Sequence, residues 1–225
     1  MTISFAAMFV FSGVAYLFSK DLARFFVDPL FQACPDLEHL VYTNLTEAFV
    51  SYLKISIIVG VAASFPVILY QVWRFISPGM HSHEKRFGLL VVFWATFLFA
   101  FGVAFAYIAV MPRALVYLMS FAGENLEAMP KLDSYLSFVA RSGLAFGLSF
   151  EIPFLMVMAS KAGFVDRHYF ARQRKYYYIA IAVVSFVLAA GDLMSTLLLV
   201  FPLIFLYELG LIVIRVFSGK ESAVN

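Results

Sequence analysis

The sequence predicts an all-α membrane protein with six transmembrane helices, and three observations support this prediction. Of its 225 residues, 63% are hydrophobic and only 13% are charged, which is about half the charged fraction of a soluble domain. Several stretches are free of charge over a length that can cross a bilayer. Their apolar residues run continuously instead of alternating, which argues against a transmembrane β-barrel.

Each predicted span is a long apolar stretch between polar breaks. The first begins at the start of the chain, which lacks the basic region and the small-residue cleavage site of a signal peptide. A polar segment follows it, to about Thr46. The third span ends at Met111 and Pro112, and another polar stretch precedes the fourth. We expect one integral membrane domain over residues 1–225, with spans at about 1–18, 48–76, 87–110, 135–159, 176–190 and 193–214.

Prolines and span lengths predict the shape of the bundle. Pro66, Pro112, Pro153 and Pro202 lie inside spans or at their ends, and each should bend its helix. Four kinks favour a curved wall, and scattered, tolerated kinks are the alternative. The last two spans look short, since the fifth would rise only about 22 Å against a hydrocarbon thickness of roughly 30 Å. Such a helix must thin the bilayer locally or lean on its neighbours.

The distribution of basic residues predicts the orientation, because Lys and Arg collect on the cytoplasmic side of membrane proteins. Ten of them fall at the connections between spans two and three and spans four and five, and in the C-terminal tail. Only four fall on the opposite side, which holds most of the acidic residues. Lys54 and Arg141 lie inside span ends and count for neither side. Both termini are therefore predicted to be cytoplasmic.

The sequence shows no pattern typical of catalysis, metal binding or nucleotide binding. It contains no Walker loop, no Rossmann glycine pattern and no internal repeat. His81 and His83 are two residues apart, a spacing that does not place them on one helix face. The single cysteine, Cys34, excludes an internal disulfide. We expect no enzyme activity, no cofactor, no metal and no nucleic-acid partner.

One carboxylate stands out in the stretch LYQVWRFISPGMHSHEKR, which covers residues 69–86. Glu84 lies there among basic residues, at the start of a helix that enters the membrane. One interpretation is a favourable interaction with the helix dipole, of about 0.3–1 kcal/mol. The other is a docking point for a cationic partner, because a carboxylate binds a guanidinium group through two parallel hydrogen bonds. Trp73 and Phe75 would supply the apolar part of such a site.

A second carboxylate, Glu151, lies well inside the fourth span and is followed by Pro153. An ionised carboxylate in mid-span costs about 2.5–3.5 kcal/mol even on the cheaper insertion scales, so it must face a polar cavity, a partner or a proton. Pro153 leaves the carbonyl of Ser149 without its helical donor, which adds to the local polarity. A functional cavity is one interpretation, and a structural pair with another polar group, such as Gln71, is the other.

Two further acidic residues have structural explanations. Glu208 lies near the cytoplasmic end of the last span, not far from Arg215, and we expect it to face water or to be paired. Asp192 lies in the turn between the last two spans. N-capping of the sixth helix is a sufficient reason for it.

Four groups of motifs follow one another between about Asp28 and Arg215, which is most of the chain. They are LTEAFVSYLK, then FPVILYQVWRFISPG with HEKR, then SYLSF with AFGLSFEIP, and finally FPLIFLYELG. Together they resemble the TatC family, the six-span receptor subunits of the twin-arginine protein translocase. The second group is long and irregular enough to make the resemblance specific.

The resemblance implies a concave, glove-like bundle in the bacterial cytoplasmic (inner) membrane that takes part in Sec-independent export of folded proteins. It assigns signal-peptide binding to Glu84 and Phe75, an intramembrane cavity to Glu151 and Gln71, and a periplasmic turn to Asp192. The implied partners are TatA- and TatB-type single-span proteins, twin-arginine signal peptides with their folded cargo, other copies of the chain and the lipid bilayer. The implied energy source is the proton-motive force.

The sequence departs from the family's pattern in four places, one of which is the family's S-Q after the aspartate, here Ser195 and Thr196. The family normally begins with a cytoplasmic helix that carries H-L-x-E-L-R-x-R, whose glutamate helps to form the signal site, whereas this chain starts at MTISF, in the first span. The family's T-P-P-D before the sixth helix is AAGD here, ending at Asp192. The family's arginine pair before the fifth helix is Arg174 and Lys175 in this chain.

Two other classes of function fit parts of the sequence. A proton-coupled small-solute transporter would use Glu151 as its relay, although the internal repeats of transporter halves are missing. A purely structural membrane subunit would leave Glu84 and Glu151 replaceable by Gln without loss of export.

Overall fold

The computed structural model describes residues 2–33, 37, 40–42, 44–76, 82–119, 129–161, 168–188 and 193–221. In these ranges the chain is almost entirely helical, so the predicted all-α class is confirmed. A π-helical turn, Ala106–Val110, joins the fourth helix to the fifth. The α-helices are α1 (Thr2–Leu17), α2 (Ser19–Ala33), α3 (Glu47–Ile76), α4 (Ser82–Phe105), α5 (Met111–Met119), α6 (Leu132–Lys161), α7 (Tyr169–Arg172), α8 (Arg174–Leu188) and α9 (Leu193–Glu221).

The six predicted spans correspond to α1, α3, α4 with α5, α6, α8 and α9. By length and composition, three stretches of the described chain are sufficient to cross a membrane, namely Glu47–Arg74, Leu90–Met119 and Leu132–Ser160, and a fourth is added if α1 and α2 form one bent span. Helix α8 has 15 residues and is short, as predicted. Helix α9 is not short: it has 29 residues and ends at Glu221, because residues 215–221 continue the helix beyond the predicted span.

The polar segment that follows the first span contains a helix, α2, that the sequence pattern did not predict. Its axis is bent by 78° from that of α1. Ala23, Val27 and Leu30 recur at helical spacing and are buried against other helices, while the charged residues of α2 are exposed. An amphipathic helix of this kind lies across an end of the bundle instead of crossing the membrane.

The third span continues past the point where Met111 and Pro112 were predicted to end it. The apolar stretch reaches Met119, because the π-helical turn carries the chain into α5. In that turn the N–H of Met111 donates to the carbonyl of Ala106, five residues earlier. Proline lacks an N–H and its ring crowds the carbonyl four residues before it. The wider π turn accommodates Pro112 without breaking the helix.

Helices α1 and α3 pack with very little space between their backbones. A Cβ atom added to Gly60 of α3 would lie 2.5 Å from the Cα atom of Ser12 in α1. Small residues allow this approach, which is the usual way in which membrane helices gain contact. Glycine at position 60 is therefore required by the α1–α3 crossing.

An ion pair joins the beginnings of α3 and α6. The Lys54 ammonium lies 2.8 Å from a carboxylate oxygen of Asp133, and the Ser51 hydroxyl donates to the same carboxylate at 3.1 Å. Backbone hydrogen bonds between Val41 and the segment 130–132 reinforce this end. We call it the α2 end, because α2 also packs against the early residues of α3 and α6 there.

Aromatic and polar contacts hold α7 and α8 against α9. The fully buried Tyr207 donates its hydroxyl to the carbonyl of Phe170 at 2.7 Å. Its neighbour Glu208 accepts a hydrogen bond from Tyr178 and lies 3.2 Å from the Arg174 guanidinium. Glu208 was expected to face water or to be paired, and the structure shows it paired, with Arg174 on the adjacent helix.

Candidate functional site

The two residues predicted to bind a signal peptide lie at adjoining helix ends. Phe75 is the next-to-last residue of α3, and Glu84 is the third residue of α4. Only residues 77–81 separate the two helices, so both positions lie at the same end of the bundle. Their side chains are outside the part of the chain that the structure describes, as is the whole of Asp192.

That end is opposite the α2 end. The Lys54–Asp133 ion pair places the beginnings of α3 and α6 together. Further along, Phe65 of α3 stacks on Phe99 of α4, with ring centroids 3.9 Å apart, and Phe99 in turn faces Gly147 of α6. The end of α3, the beginning of α4 and the end of α6 therefore lie on one side, which we call the Glu84 end.

Glu151 lies inside the bundle, in the half nearer the Glu84 end. It is 19 residues beyond Leu132 and ten before Lys161, which at 1.5 Å per residue is about 28 Å from one end of α6 and about 15 Å from the other. Its side chain is only 4% exposed. The backbone of Phe99 faces this carboxyl group. Within the described ranges, however, neither oxygen has a hydrogen-bond partner of acceptable geometry.

Local sequence explains why Glu151 is buried. Two glycines let α4 and α6 cross closely beside it, since a Cβ atom on Gly102 would lie 2.7 Å from the Phe146 carbonyl oxygen and 3.0 Å from the Gly147 Cα. One turn before Pro153, Ser149 donates its hydroxyl to the Ala145 carbonyl at 2.6 Å. Pro153 has no N–H to donate to the Ser149 carbonyl. That carbonyl and the polar side chains of Ser149 and Glu151 therefore lie at the same depth in the bundle.

The structural pair between Glu151 and Gln71 does not form, so that interpretation is wrong. Gln71 lies in α3, four residues before Phe75, and is partly exposed. That spacing is one helical turn, so Gln71 and Phe75 share a face of α3. The assignment of Gln71 and Glu151 to one cavity remains a prediction.

Three interactions near the α2 end were missed by sequence reasoning. One is the Lys54–Asp133 ion pair, whose signal was two opposite charges near the beginnings of predicted spans. The others are tyrosine hydroxyls that donate to α2: Tyr107 to the Phe25 carbonyl at 2.6 Å and Tyr135 to the Phe26 carbonyl at 2.8 Å. Nothing in the sequence pattern pairs residues that are 82 and 109 positions apart.

The arrangement is suited to recognition in an apolar setting. A buried carboxylate without a donor can accept a cationic or hydrogen-bonding group or a proton. Among the described residues, no three His, Cys, Asp or Glu side chains converge in a way that could hold a metal ion. The geometry therefore supports a binding role for Glu151.

Fold and site together define a polytopic helical membrane protein with a buried carboxylate inside the bundle that has no hydrogen-bond partner among the described residues. A family model described as "Sec-independent protein translocase protein (TatC)" matches residues 1–202. The chain belongs to the TatC family, and the resemblance found in its motifs is confirmed.

Similar proteins carry the same description over most of their length. The chain is 36% identical over 227 residues to the Sec-independent protein translocase protein TatC of Aquifex aeolicus, covering 100% of this chain and 94% of that protein. It is 34% identical over 220 residues to the TatC protein of Desulforapulum autotrophicum, covering 98% of this chain and 82% of that protein. It is 33% identical over 215 residues to the TatC protein of Escherichia coli K12, covering 96% of this chain and 83% of that protein.

Solved structures agree with the fold. A crystal structure described as "Twin Arginine Translocase Receptor- TatC" superposes with a TM-score of 0.88 at 35% identity, covering 96% of this chain and 95% of that one. A second, in DDM, superposes with a TM-score of 0.84 at 34% identity, with 93% of each chain covered. The arrangement of helices is therefore that of a TatC receptor.

Proposed function

We propose that this chain is the receptor of a twin-arginine protein translocase in a bacterial cytoplasmic membrane. In this role it binds the signal peptides of folded cargo at the cytoplasmic face and takes part in Sec-independent export. Membership of the TatC family supports the proposal, as does the similarity to structures described as twin-arginine translocase receptors.

The observation that carries the proposal is the position of Phe75 and Glu84 at adjoining helix ends. Glu84 lies in the first turn of α4, where the helix dipole favours a carboxylate. A carboxylate there can bind the planar guanidinium group through two parallel hydrogen bonds, which an ammonium group cannot match. Glu84 would thus select Arg-Arg over Lys-Lys, and Phe75 would pack beside the bound peptide.

The path of the signal peptide then follows α3 and α6 into the membrane. Gln71 lies one turn deeper than Phe75, on the same face of α3. Glu151 lies about 15 Å below the end of α6 that is on the Glu84 side. The apolar part of the signal peptide enters towards Glu151, and Asp192, which lies between α8 and α9 in the sequence, keeps the assignment to the periplasmic side that the family resemblance implies.

Orientation and partners follow from charge and exposure. The basic residues of the connections between α3 and α4 and between α6 and α8 support a cytoplasmic location for the Glu84 end and for both termini. The outer faces of α8 and α9 are apolar and exposed, for example at Val183, Phe201 and Phe205. TatA- and TatB-type single-span proteins, other copies of the chain and lipid contact such surfaces. The proton-motive force supplies the energy.

Site-specific photocrosslinking tests the docking site. Membranes that contain the chain with a photoreactive amino acid at position 84 are offered an Arg-Arg signal peptide and its Lys-Lys counterpart. We expect an adduct with the Arg-Arg peptide only. The control carries the photoreactive group at Met129, which is exposed beside the beginning of α6 at the α2 end, and should give no adduct. Equal adducts with both peptides, or labelling from position 129 alone, would overturn the assignment.

A proton-coupled solute transporter was the alternative that Glu151 suggested. Its basis was a membrane carboxylate without an evident partner, and the structure leaves Glu151 unpartnered within the described ranges. Family membership decides between the two, because the TatC description is that of a protein translocase. A receptor should move no small solute in liposomes that contain this chain alone.

A further inference from the structure

A groove of about 650 Å³ opens on the membrane-facing side of the bundle, between α2, α3 and α4 with its π-helical turn. Phe25, Phe26 and Tyr107 line its end nearest α2, and Pro66, Thr96 and Ala100 line the remainder. The residues of α3 and α4 involved belong to stretches that are long and apolar enough to cross a membrane. From Thr96 to Ile108 the groove follows its helix for about 18 Å, so it lies at hydrocarbon depth.

The polar side chains that line the groove already have partners. The Thr96 hydroxyl donates to the Val92 carbonyl at 2.7 Å, and the Tyr107 hydroxyl donates to the Phe25 carbonyl at 2.6 Å. The other lining side chains are apolar. Water has no groups to bind in such a space. In a bilayer, the mobile apolar species available to fill it is a lipid acyl chain.

Two exposed side chains of opposite charge lie near Phe25 in the sequence of α2. Arg24 and Asp28 of α2 lie on either side of Phe25 in sequence, and both are exposed. Asp28 lies within electrostatic range of the Tyr107 hydroxyl. At a spacing of four residues the two charges could pair on the helix surface, yet in the described part of the chain neither enters an ion pair. Both are free to contact a ligand.

We propose that this groove binds one phospholipid whose headgroup carries both a phosphate and a primary ammonium, as in phosphatidylethanolamine. One acyl chain fills the groove, Arg24 contacts the phosphate, and Asp28 accepts hydrogen bonds from the ammonium. A guanidinium group is the preferred partner of a phosphate, and a primary ammonium offers three donors. A choline headgroup has no N–H to offer. The bound lipid would hold α2 against the π-helical turn.

The balance of charge on α2 favours a zwitterionic headgroup over an anionic one. The helix contains two bases, Lys20 and Arg24, and two acids, Asp21 and Asp28. A headgroup with net negative charge would meet attraction from Arg24 and repulsion from Asp28. A headgroup with both charges satisfies both side chains. This inference concerns a lipid site at the α2 end and does not depend on signal-peptide binding at the Glu84 end.

Photoactivatable lipids test the proposal. The purified chain is reconstituted into phosphatidylcholine vesicles that contain, as a minor component, a phospholipid with a photoreactive acyl chain. Its headgroup is ethanolamine, choline or glycerol, and the labelled residues are mapped by mass spectrometry. We expect the ethanolamine lipid to label the groove several-fold more than the other two. Equal labelling by all three, or stronger labelling by the glycerol lipid, would overturn the headgroup assignment.

Two variants with matched controls complete the test. Ala100→Trp places a large side chain in the groove at an exposed position. It should abolish labelling of the groove by all three lipids. The control is Ala6→Trp at an exposed position on α1, which should leave the labelling unchanged. Asp28→Asn should remove the preference for ethanolamine over choline, whereas Asp21→Asn, two turns earlier on α2, should keep it. Unchanged labelling in Ala100→Trp, with thermal unfolding like that of the parent chain, would refute the site.

Discussion

The Lys54 ammonium lies 2.8 Å from the Asp133 carboxylate and joins the beginnings of two long helices that are 79 residues apart in sequence. The side chains are 41% and 30% exposed, respectively. Solvent and salt therefore screen the pair, and its contribution is on the order of that of an exposed ion pair, about 0.2–1 kcal/mol. The pair shows which ends of α3 and α6 lie together, and the depth of Glu151 is measured from those ends.

We predict that Lys54→Met and Asp133→Asn each lower the midpoint of thermal unfolding slightly. The double variant should lose less stability than the sum of the losses in the two single variants. The physical reason is that either single change removes the same ion pair, so the coupling should be about 0.2–1 kcal/mol. The coupling should shrink at high salt, since partly exposed charges are screened. Additive losses, or a coupling independent of salt, would show that the two side chains act separately.

A second prediction concerns Tyr107 and Pro29, which act on the same carbonyl. Pro29 has no N–H for the carbonyl of Phe25, four residues earlier, and the Tyr107 hydroxyl donates to that carbonyl instead. Removing the hydroxyl in Tyr107→Phe should cost about 0.5–1.5 kcal/mol of unfolding free energy. In a Pro29→Ala background the restored N–H can donate to the carbonyl, so the same change should cost less. An equal cost in both backgrounds would contradict this account.

How far the sequence predicts the fold differs between helices for physical reasons. The spans assigned to α3 and α6 agree with the structure within a few residues at each end, because long apolar stretches between polar breaks leave few alternatives. Helix α2 was missed because a short amphipathic helix with an internal proline has the composition of a loop. The end of the third span was misplaced because the π-helical turn that accommodates Pro112 has no distinct pattern.

The candidate site could be predicted only in part. The sequence indicated that Glu151 is an unusual carboxylate inside a span, and the structure shows it to be buried. It could not show that Gln71 fails to pair with Glu151, because that depends on the crossing of α3, α4 and α6. Glu208 was expected to face water or to be paired, and its partner, Arg174, could not be predicted because it lies 34 positions earlier, on a helix that Glu208 meets only in the folded chain.

We predict that Glu84→Gln weakens capture of an Arg-Arg signal peptide about tenfold or more at equal abundance of the chain. The amide keeps the shape of the side chain but loses the charge, and a hydrogen bond to a charged group contributes about 1.5–3 kcal/mol. Peptide binding to membranes that contain the parent chain or the variant would measure this. Glu84→Asp, which keeps the charge, should retain part of the affinity. Unchanged capture by Glu84→Gln would exclude Glu84 as the docking residue.

A fourth prediction separates the function of Glu151 from its effect on stability. Glu151→Leu should leave peptide docking at the Glu84 end largely intact but impair the later insertion of the signal peptide. The variant should unfold at the same temperature as the parent chain or a higher one, because it removes a buried carboxylate that has no donor in the described ranges. Docking and depth of insertion can be followed by crosslinking from separate positions of the peptide. A docking loss as severe as that of Glu84→Gln would contradict this division of roles.

The last prediction compares two glycines of the α1–α3 pair, for which the same substitution should have opposite effects. At Gly60 a Cβ atom would lie 2.5 Å from the backbone of Ser12, whereas a Cβ atom at Gly13 would meet nothing within 4 Å. Gly60→Ala should therefore force α1 and α3 apart and lower the thermal unfolding midpoint, because the obstacle is backbone and cannot rotate away. Gly13→Ala should be neutral or stabilising by up to about 1 kcal/mol, since alanine favours a helix over glycine. Thermal unfolding of both variants in the same detergent is the measurement. A similar loss of stability in both variants would contradict this account, because close packing against Ser12 would then not explain the loss at Gly60.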